Sequence, residues 1–320
     1  PHPGRGARAA DVTRPVVLAF GGNALVPDPS NPAGEEQRAE ELADAVLLVF
    51  PKGAGMALVH GNGPQVGTAL LRVEATRQEL PPETLDVMVA QTQGSIGYLL
   101  AQTLRNVLGE QHLEVSTVMT QVVVDAHDPA FGRPTKPVGP FYTKQQADGL
   151  QGNGGWAMAE IPGRGWRRVV PSPRPLEVVE LGTIRKMLQG GQVVIAGGGG
   201  GVPVVRGDDG RLRGVEAVID KDRTASLLAI AVQAAMLVIL TGEPHVARAF
   251  GTPDEERIPR MGPATARSLL QSGEFPPGSM GPKVEAALAY VEALGSPAVI
   301  TDTPSLQQAL QDEAGTWIEP

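Results

Sequence analysis

Two lysines stand where an unliganded protein has little reason to put a cation. Lys221 follows Asp220 directly after the apolar run Val215 to Ile219 and opens a helical pattern, and Lys283 follows Gly281-Pro282 and opens another. The start of a helix carries unpaired N–H groups and about half a positive charge, so a lysine there is disfavoured unless an anion occupies the same place. A phosphate group is such an anion. Either lysine alone reads more readily as a surface charge solvating a helix start. Asp220 has two readings, as a cap accepting N–H groups of the helix and as a carboxylate that orients neighbouring lysines, and one group can do both.

Four glycine-rich turns shift the balance towards phosphate. Gly21-Gly22-Asn23, Gly61-Asn62-Gly63-Pro64, the run Gly197 to Gly201, and Gly242 each follow a short apolar segment that reads as a strand. In an open parallel sheet the ligand crevice lies beyond the carboxyl ends of the strands, so such turns converge. Glycine lets backbone N–H groups approach a ligand closely, and five in succession are an entropic liability unless bare backbone is wanted. The chain has no G-x-x-x-x-G-K-[ST] and completes no G-x-G-x-x-G after a strand, which argues against a P-loop or nicotinamide enzyme. His60, His112, His127 and His245 are too scattered for a metal site, and no Ser-His-Asp spacing emerges. His60 ends a strand beside a glycine turn and reads as a hydrogen-bonded structural histidine.

The elements that must carry these residues alternate. Strands are predicted at Val16 to Phe20, Met56 to His60, Glu114 to Thr120, Val193 to Ala196, Met236 to Leu240 and Ala298 to Thr301. Helices are predicted at Glu35 to Phe50, Gln65 to Gln78, Thr84 to Leu108, Pro175 to Gln189, Arg223 to Ala234 and Val284 to Leu294. Apolar runs separated by crossover helices give an α/β fold with an open, mainly parallel sheet covered on both faces. Residues 1–14 read as a disordered tail and 15–320 as one domain, with an excursion at about 127–173 rich in Gly, Pro, Arg and Trp that is either a long loop or a small protruding subdomain. The helix Thr84 to Leu108 has apolar residues on more than one face, as expected of a buried core helix or of a dimer interface.

The whole chain sets outer bounds. Its 320 residues suffice for a large core, and a net charge of −8 provides no footprint for nucleic acid, so anionic ligands must be held by local cations. The absence of cysteine excludes disulfides and thiolate chemistry and is compatible with a reducing cytosol. Leu227 to Leu240 is the longest apolar stretch and falls short of the roughly 20 residues needed to span a bilayer. A soluble, cytoplasmic protein is the expectation.

The strings FGGNAL, HGNGPQVG, MTQVVVD, RPTKPVGPF, GRGWRRVVPSP, GGGGGVPVV, GVEAVIDKD and GSMGPK together resemble the carbamate kinases, in order, from about Arg14 to the last residues. The segments RPTKP and GVEAVIDKD are similar to that branch of the amino acid kinases rather than to acetylglutamate or uridylate kinases. The resemblance implies a three-layer α/β/α sandwich, usually dimeric, that reversibly transfers phosphoryl between ATP and carbamate to give ADP and carbamoyl phosphate, often in the ATP-forming direction of arginine breakdown. It implies that Lys136, Lys221 and Lys283 contact the transferring group and that Asp220 positions the lysines. Gly21, Gly22, Asn23, Gly61, Asn62 and Gly63 would hold carbamate and the γ-phosphoryl group, with Gly197, Gly198, Gly199 and Gly200 lining the phosphate channel. Thr241, His245, Val246, Phe250, Ser279 and Met280 would lie near the nucleotide.

The chemistry suits these residues. Carbamate is already an oxygen nucleophile and needs no general base, and Mg2+ would travel chiefly on the nucleotide phosphates and water. Lys136 lies in the excursion, whose closure is expected to complete the site and exclude water. The segment Gly242-Glu243-Pro244-His245 departs from the family's usual Val-Asp-Tyr, a proline standing for the acid and a histidine for the tyrosine, with Phe250 still available to stack on a base. The alternatives are a kinase of another small carboxylate or phosphonate, and a nucleotide or amino-acid sensor on the same fold.

Overall fold

The computed structural model describes residues 13–21, 32–51, 53–108, 113–275 and 280–320, with the side chains of 32–40 and 153–154 left aside. Residues 1–12 of the expected tail, Gly22, Asn23 and Ser279 lie outside the described residues, whereas Arg14, placed at the tail's end by the sequence, donates to the Gln233 and Ala234 carbonyls at 2.8 and 2.7 Å and so belongs to the fold. In chain order the elements are β1 (Val16–Phe20), α1 (Pro32–Val49), β2 (Met56–His60), α2 (Gly63–Thr76), α3 (Leu85–Leu108), β3 (Val115–Thr117) and β4 (Gln121–Val124). There follow β5 (Lys136–Tyr142), α4 (Lys144–Gly154), β6 (Met158–Ile161), β7 (Gly165–Val170), β8 (Pro175–Val178), α5 (Leu181–Gln189), β9 (Val193–Ile195), β10 (Val202–Arg206) and β11 (Leu212–Gly214). The last part holds α6 (Lys221–Ala231), β12 (Met236–Leu240), β13 (Val246–Arg248), β14 (Glu256–Ile258), β15 (Arg260–Met261), α7 (Pro263–Gln271), α8 (Met280–Leu294), β16 (Ala298–Thr301), α9 (Leu306–Leu310) and β17 (Thr316–Ile318).

The main sheet runs β15-β17-β16-β12-β1-β2-β9-β3. Its pairs are parallel from β16 across to β3 and antiparallel only between β16 and β17 among the described residues. Strands buried on both faces read as continuous apolar runs, as in Val16-Val17-Leu18-Ala19-Phe20. Alternate residues of that run divide between two cores. Val17 and Ala19 join residues of α5, α6, α7 and α8, whereas Val16, Leu18 and Phe20 join residues of α1, α3 and α9. Helices therefore cover both faces, the three-layer sandwich expected.

Three departures from the sequence expectation matter for the site. The strand predicted over Glu114 to Thr120 ends at Thr117, and the chain then enters a second sheet, β11-β10-β4-β8, through β4. The helix predicted from Pro175 begins only at Leu181, because Pro171-Ser172-Pro173-Arg174-Pro175 holds the chain extended and β8 pairs antiparallel with the outer side of β4. The excursion is built rather than irregular: β5, β7 and β6 form their own antiparallel sheet with α4 beside it. It rests on α2, where Val66 and Leu70 meet Val138 and Val170, and a Cβ on Gly67 would lie 3.2 Å from the Gly139 backbone. On α3 the described core residues include Leu85, Met88, Val89, Ile96, Leu100 and Leu104, whereas Leu99 is exposed with Tyr98 and Val107. The core explanation accounts for most of its apolar excess.

Candidate active site

The irregular segment 215–219, turned by the Ala217 N–H on the Val215 carbonyl at 2.9 Å, delivers Asp220 to the start of α6, where its carboxylate accepts the N–H groups of Asp222 and Arg223 at 3.0 and 3.4 Å. This is the capping role read from the sequence. The other carboxylate oxygen receives Lys136 Nζ, from the first residue of β5, at 2.7 Å. Burial alone would raise the pKa of Asp220, but Lys136 and then Lys221 outweigh it and hold the carboxyl well below the usual range.

The expectation that Asp220 positions all the lysines is corrected here, since a second carboxylate shares the task. Asp222, 3% exposed at its side chain, accepts Lys221 Nζ on Oδ1 at 2.5 Å and Lys283 Nζ on Oδ2 at 3.1 Å. Burial pushes the Lys221 ammonium pKa down, Asp222 opposes this, and the neighbouring Lys283 adds to the lowering. Lys283 enters from α8, which starts at Met280, earlier than predicted, with Gly281 and Pro282 inside its first turn. Among the described residues, three ammonium groups are paired with two carboxylates in a mostly buried cluster, a surplus of one positive charge. A buried surplus of this kind calls for an anion. Asp222 was missed because an acid in a first turn reads as ordinary dipole compensation.

The glycine turns after β1, β2, β9 and β12 lie at the carboxyl ends of four adjacent parallel strands. Gly61 N–H donates to the Phe20 carbonyl at 2.9 Å, which brings Gly21 beside the Gly61-Asn62-Gly63 turn. Asn62 does not cap α2 with its side chain and instead donates to Thr92 Oγ1 at 2.9 Å, against the face of Gly199.

Gly197, Gly199, Gly200 and Gly201 all have φ between 65° and 91°, conformations that residues with a Cβ avoid. The run is buried, and added Cβ atoms would strike His60 at Gly198, Asn62 at Gly199 and the Ile219 carbonyl at Gly200. Bare backbone is thus required first by packing. Thr120 Oγ1 takes the Gly197 N–H, Gln93 Nε2 holds the Gly198 carbonyl, and Thr224 Oγ1, one turn into α6, holds the Gly200 carbonyl. The N–H groups of Gly198 and Gly199 meet no acceptor among the described residues. Successive N–H groups around a switch into left-handed backbone form an anion-binding concavity.

His60 lies under this turn. Its Nδ1 donates to the Gly61 carbonyl at 3.0 Å, and its pKa is pushed down to about 4, by burial above all and further by Lys221. It is a neutral structural imidazole, as read from the sequence.

The segment assigned to the nucleotide is less uniform. Thr241 leaves β12 at the same carboxyl edge, its N–H bonded to Thr301, and His245 is half-buried with a pKa lowered by burial and by Arg257. Phe250 is 52% exposed and free to stack, and Met280 begins α8 partly against the core. Val246 departs from its expected role at the level of the side chain. It is fully buried in the core and its N–H goes to Thr316 Oγ1 at 2.8 Å, so it shapes the segment from beneath. Among the described residues no cluster of three or more His, Cys, Asp or Glu side chains gathers as a metal-ligand set.

The amino acid kinase family profile matches residues 14–302. The chain is 45% identical to the carbamate kinase-like protein YahI of Escherichia coli, over 95% of this chain and 98% of that one. It is 42% identical to the carbamate kinase of Pyrococcus furiosus, covering 95% and 99%. The chain belongs to the carbamate kinases of the amino acid kinase family. Among solved structures, carbamate kinase from Giardia lamblia bound to AMP-PNP superposes on this kinase with a TM-score of 0.85 at 38% identity, covering 96% of this chain and 98% of that one. No helix among the described residues is long and apolar enough to cross a membrane.

Proposed function

We propose that this kinase catalyses the reversible reaction of ATP with carbamate to give ADP and carbamoyl phosphate. The observation that carries the reading is the cluster of Lys136, Lys221 and Lys283 on Asp220 and Asp222, set beside the buried glycine turn. A carbamate oxygen attacks the γ-phosphorus, the bond to the β-phosphate oxygen breaks, and ADP leaves with the electron pair. Charge develops on the phosphoryl oxygens and on the leaving group, and the lysines and backbone N–H groups are fixed to meet it. A contact of that kind is worth about 2.7 to 4 kcal/mol in the transition state. Proton abstraction is not part of the step, in keeping with a neutral, internally bonded His60.

In this reading Gly21, Gly22, Asn23, Gly61, Asn62 and Gly63 hold carbamate and the γ-phosphoryl group, and Gly197 to Gly200 the phosphates. Thr241, His245, Phe250, Ser279 and Met280 border the nucleotide, with the Phe250 ring against the base. Both buried carboxylates are occupied by lysines, a donor set that suits Mg2+ carried in on the nucleotide phosphates and water better than Mg2+ held by the protein. The excursion acts as a subdomain that closes over the site and brings Lys136 with it. The setting that goes with this reading is the ATP-forming direction in arginine breakdown, in the cytoplasm. A homodimer would cover the exposed Leu47 and Leu48 of α1 and Tyr98, Leu99 and Val107 of α3.

The deciding assay is ATP formation from ADP and carbamoyl phosphate with Mg2+, for the intact chain and for Lys221→Ala. Activity lost in the variant supports the reading. A folded but inactive intact chain would move the assignment to another carboxylate or phosphonate acceptor, or to nucleotide sensing.

A further inference from the structure

The first turns of α6 and α8 are joined twice, with opposite polarity. Lys283 of α8 reaches Asp222 of α6 at 3.1 Å, and Glu285 of α8 reaches back to Arg223 of α6 at 2.8 Å. Glu285 has a further partner. Its other oxygen accepts Arg174 Nη2 at 2.8 Å, so each carboxylate oxygen serves one guanidinium.

Arg174 belongs to the chain returning from the excursion, and its N–H donates to Asp128 Oδ2 at 2.9 Å, at the point where the chain departs. Asp128 also caps the short 3-10 turn Pro129–Gly132 through the Ala130 N–H. The two roots of the excursion are thus tied together by Asp128, and the tied base is fastened to α8 by Glu285. From these contacts a continuous polar path runs from the base of the element that carries Lys136 to the two helix starts that carry Lys221 and Lys283.

We propose that Glu285 is a positioning residue, which through Arg223 and Arg174 fixes the placement of Lys283 on Asp222 and of the excursion relative to that pair. The inference rests on the reading that the lysines serve phosphoryl transfer. Removing Glu285 would leave Arg223 and Arg174 facing one another near the lysine cluster, with the Arg223 Nε already buried and unpartnered among the described residues. Two unneutralised guanidiniums would spread α6 from α8 and loosen the shared grip on Asp222. A residue needed only for folding would instead lower stability and leave the kinetics of the folded fraction unchanged.

The test is a double-mutant cycle on kcat for ATP formation, with melting followed in parallel. Glu285→Gln is expected to lower kcat about tenfold, a barrier increase of roughly 1.4 kcal/mol, with a smaller change in KM for carbamoyl phosphate. In a Lys283→Ala background the same substitution is expected to have little further effect, because the group it positions is gone. An equal loss in both backgrounds overturns the proposal, as does a lowered melting temperature with unchanged kcat. Should Glu285→Gln fail to fold, Arg174→Ala carries the test, since that side chain is 71% exposed. Its loss of kcat must shrink in a Lys136→Ala background, and an additive or absent effect overturns the proposal. An inactive intact chain, or Lys283→Ala with full activity, would instead remove the functional reading beneath it.

Discussion

The starts of α6 and α8 and the excursion supply cations to one cluster, but they hold them in different ways. Lys221 and Lys283 are 14% and 16% exposed and share a carboxylate sealed in the fold, between helices that pack side by side on the main sheet. Lys136 is 31% exposed and is held, among the described residues, by one bond to Asp220 from a small sheet that leans on α2. The excursion's surface adds contacts of another type: Arg164 and Arg167 over Phe141, Arg168 over Trp156 and Lys144 over Trp166. Cation–π contacts at partly exposed sites are worth about 0.5 to 1 kcal/mol each, far less than a packed core. A site that must admit a substrate and then exclude water needs one wall that stays and one that yields, and the two modes of holding match those needs.

Asp222→Ala should break the fixed wall. Removing one partner of a buried ion pair costs about 3 to 5 kcal/mol, so both melting temperature and ATP formation should fall steeply. An active, stable variant would show that the shared carboxylate is dispensable. Lys136→Ala should separate the two walls: turnover falls by about 2.7 to 4 kcal/mol of transition-state stabilisation, or roughly 100- to 1,000-fold, with a smaller fall in melting temperature than Asp222→Ala gives, because its pair with Asp220 is more exposed. A large loss of stability instead would mean that the excursion is part of the fixed frame.

The next effect is a pH dependence. The folded pKa of His60, about 4, lies below its ordinary 6.5, so between those values the unfolded chain binds more protons. The stability it contributes is full above pH 6.5 and lost as the pH falls to about 4, a span of roughly 3 kcal/mol. Asp220, also depressed when folded, begins to lose its contribution only below the ordinary carboxylate range, near pH 4. Denaturation midpoints between pH 7 and 4 should therefore fall for the intact chain and flatten for His60→Gln.

The smallest contrast is between two glycines. Gly200→Ala places a Cβ 2.2 Å from the Ile219 carbonyl at φ 91° and should destabilise by at least about 1 to 3 kcal/mol. Gly132→Ala, in the excursion's base, meets nothing within 4 Å and should stay within about 0.5 kcal/mol.

Much of this contrast was legible in the chain itself. Lys221, Lys283 and the Asp220 cap could be picked out because a helix start is a local electrostatic feature, and a lysine there conflicts with it. The four glycine turns could be assigned to one edge because buried parallel strands read as short apolar runs. The composition from 127 to 173 marked a break in the main sheet. It did not reveal a three-stranded sheet, since strands rich in Pro, Gly and Arg lack the alternation that identifies them. β4 and β8 were hidden for a related reason: the chain changes sheets after Thr120 without any turn residue, and the helical pattern after Pro175 masks four extended residues.

The sequence by itself determined the layered α/β fold, the residues able to meet phosphate and the place where the main sheet is interrupted, because periodicity, glycine and helix polarity act over a few residues. Only the tertiary structure decided the pairing of charges. Lys136 meets Asp220 across 84 positions, Lys283 meets Asp222 across 61, and Arg174 and Arg223 converge on Glu285 across 111 and 62. A buried ion pair depends on distances of about 3 Å and on exclusion of water, and both arise when separate elements pack, not from any spacing along the chain.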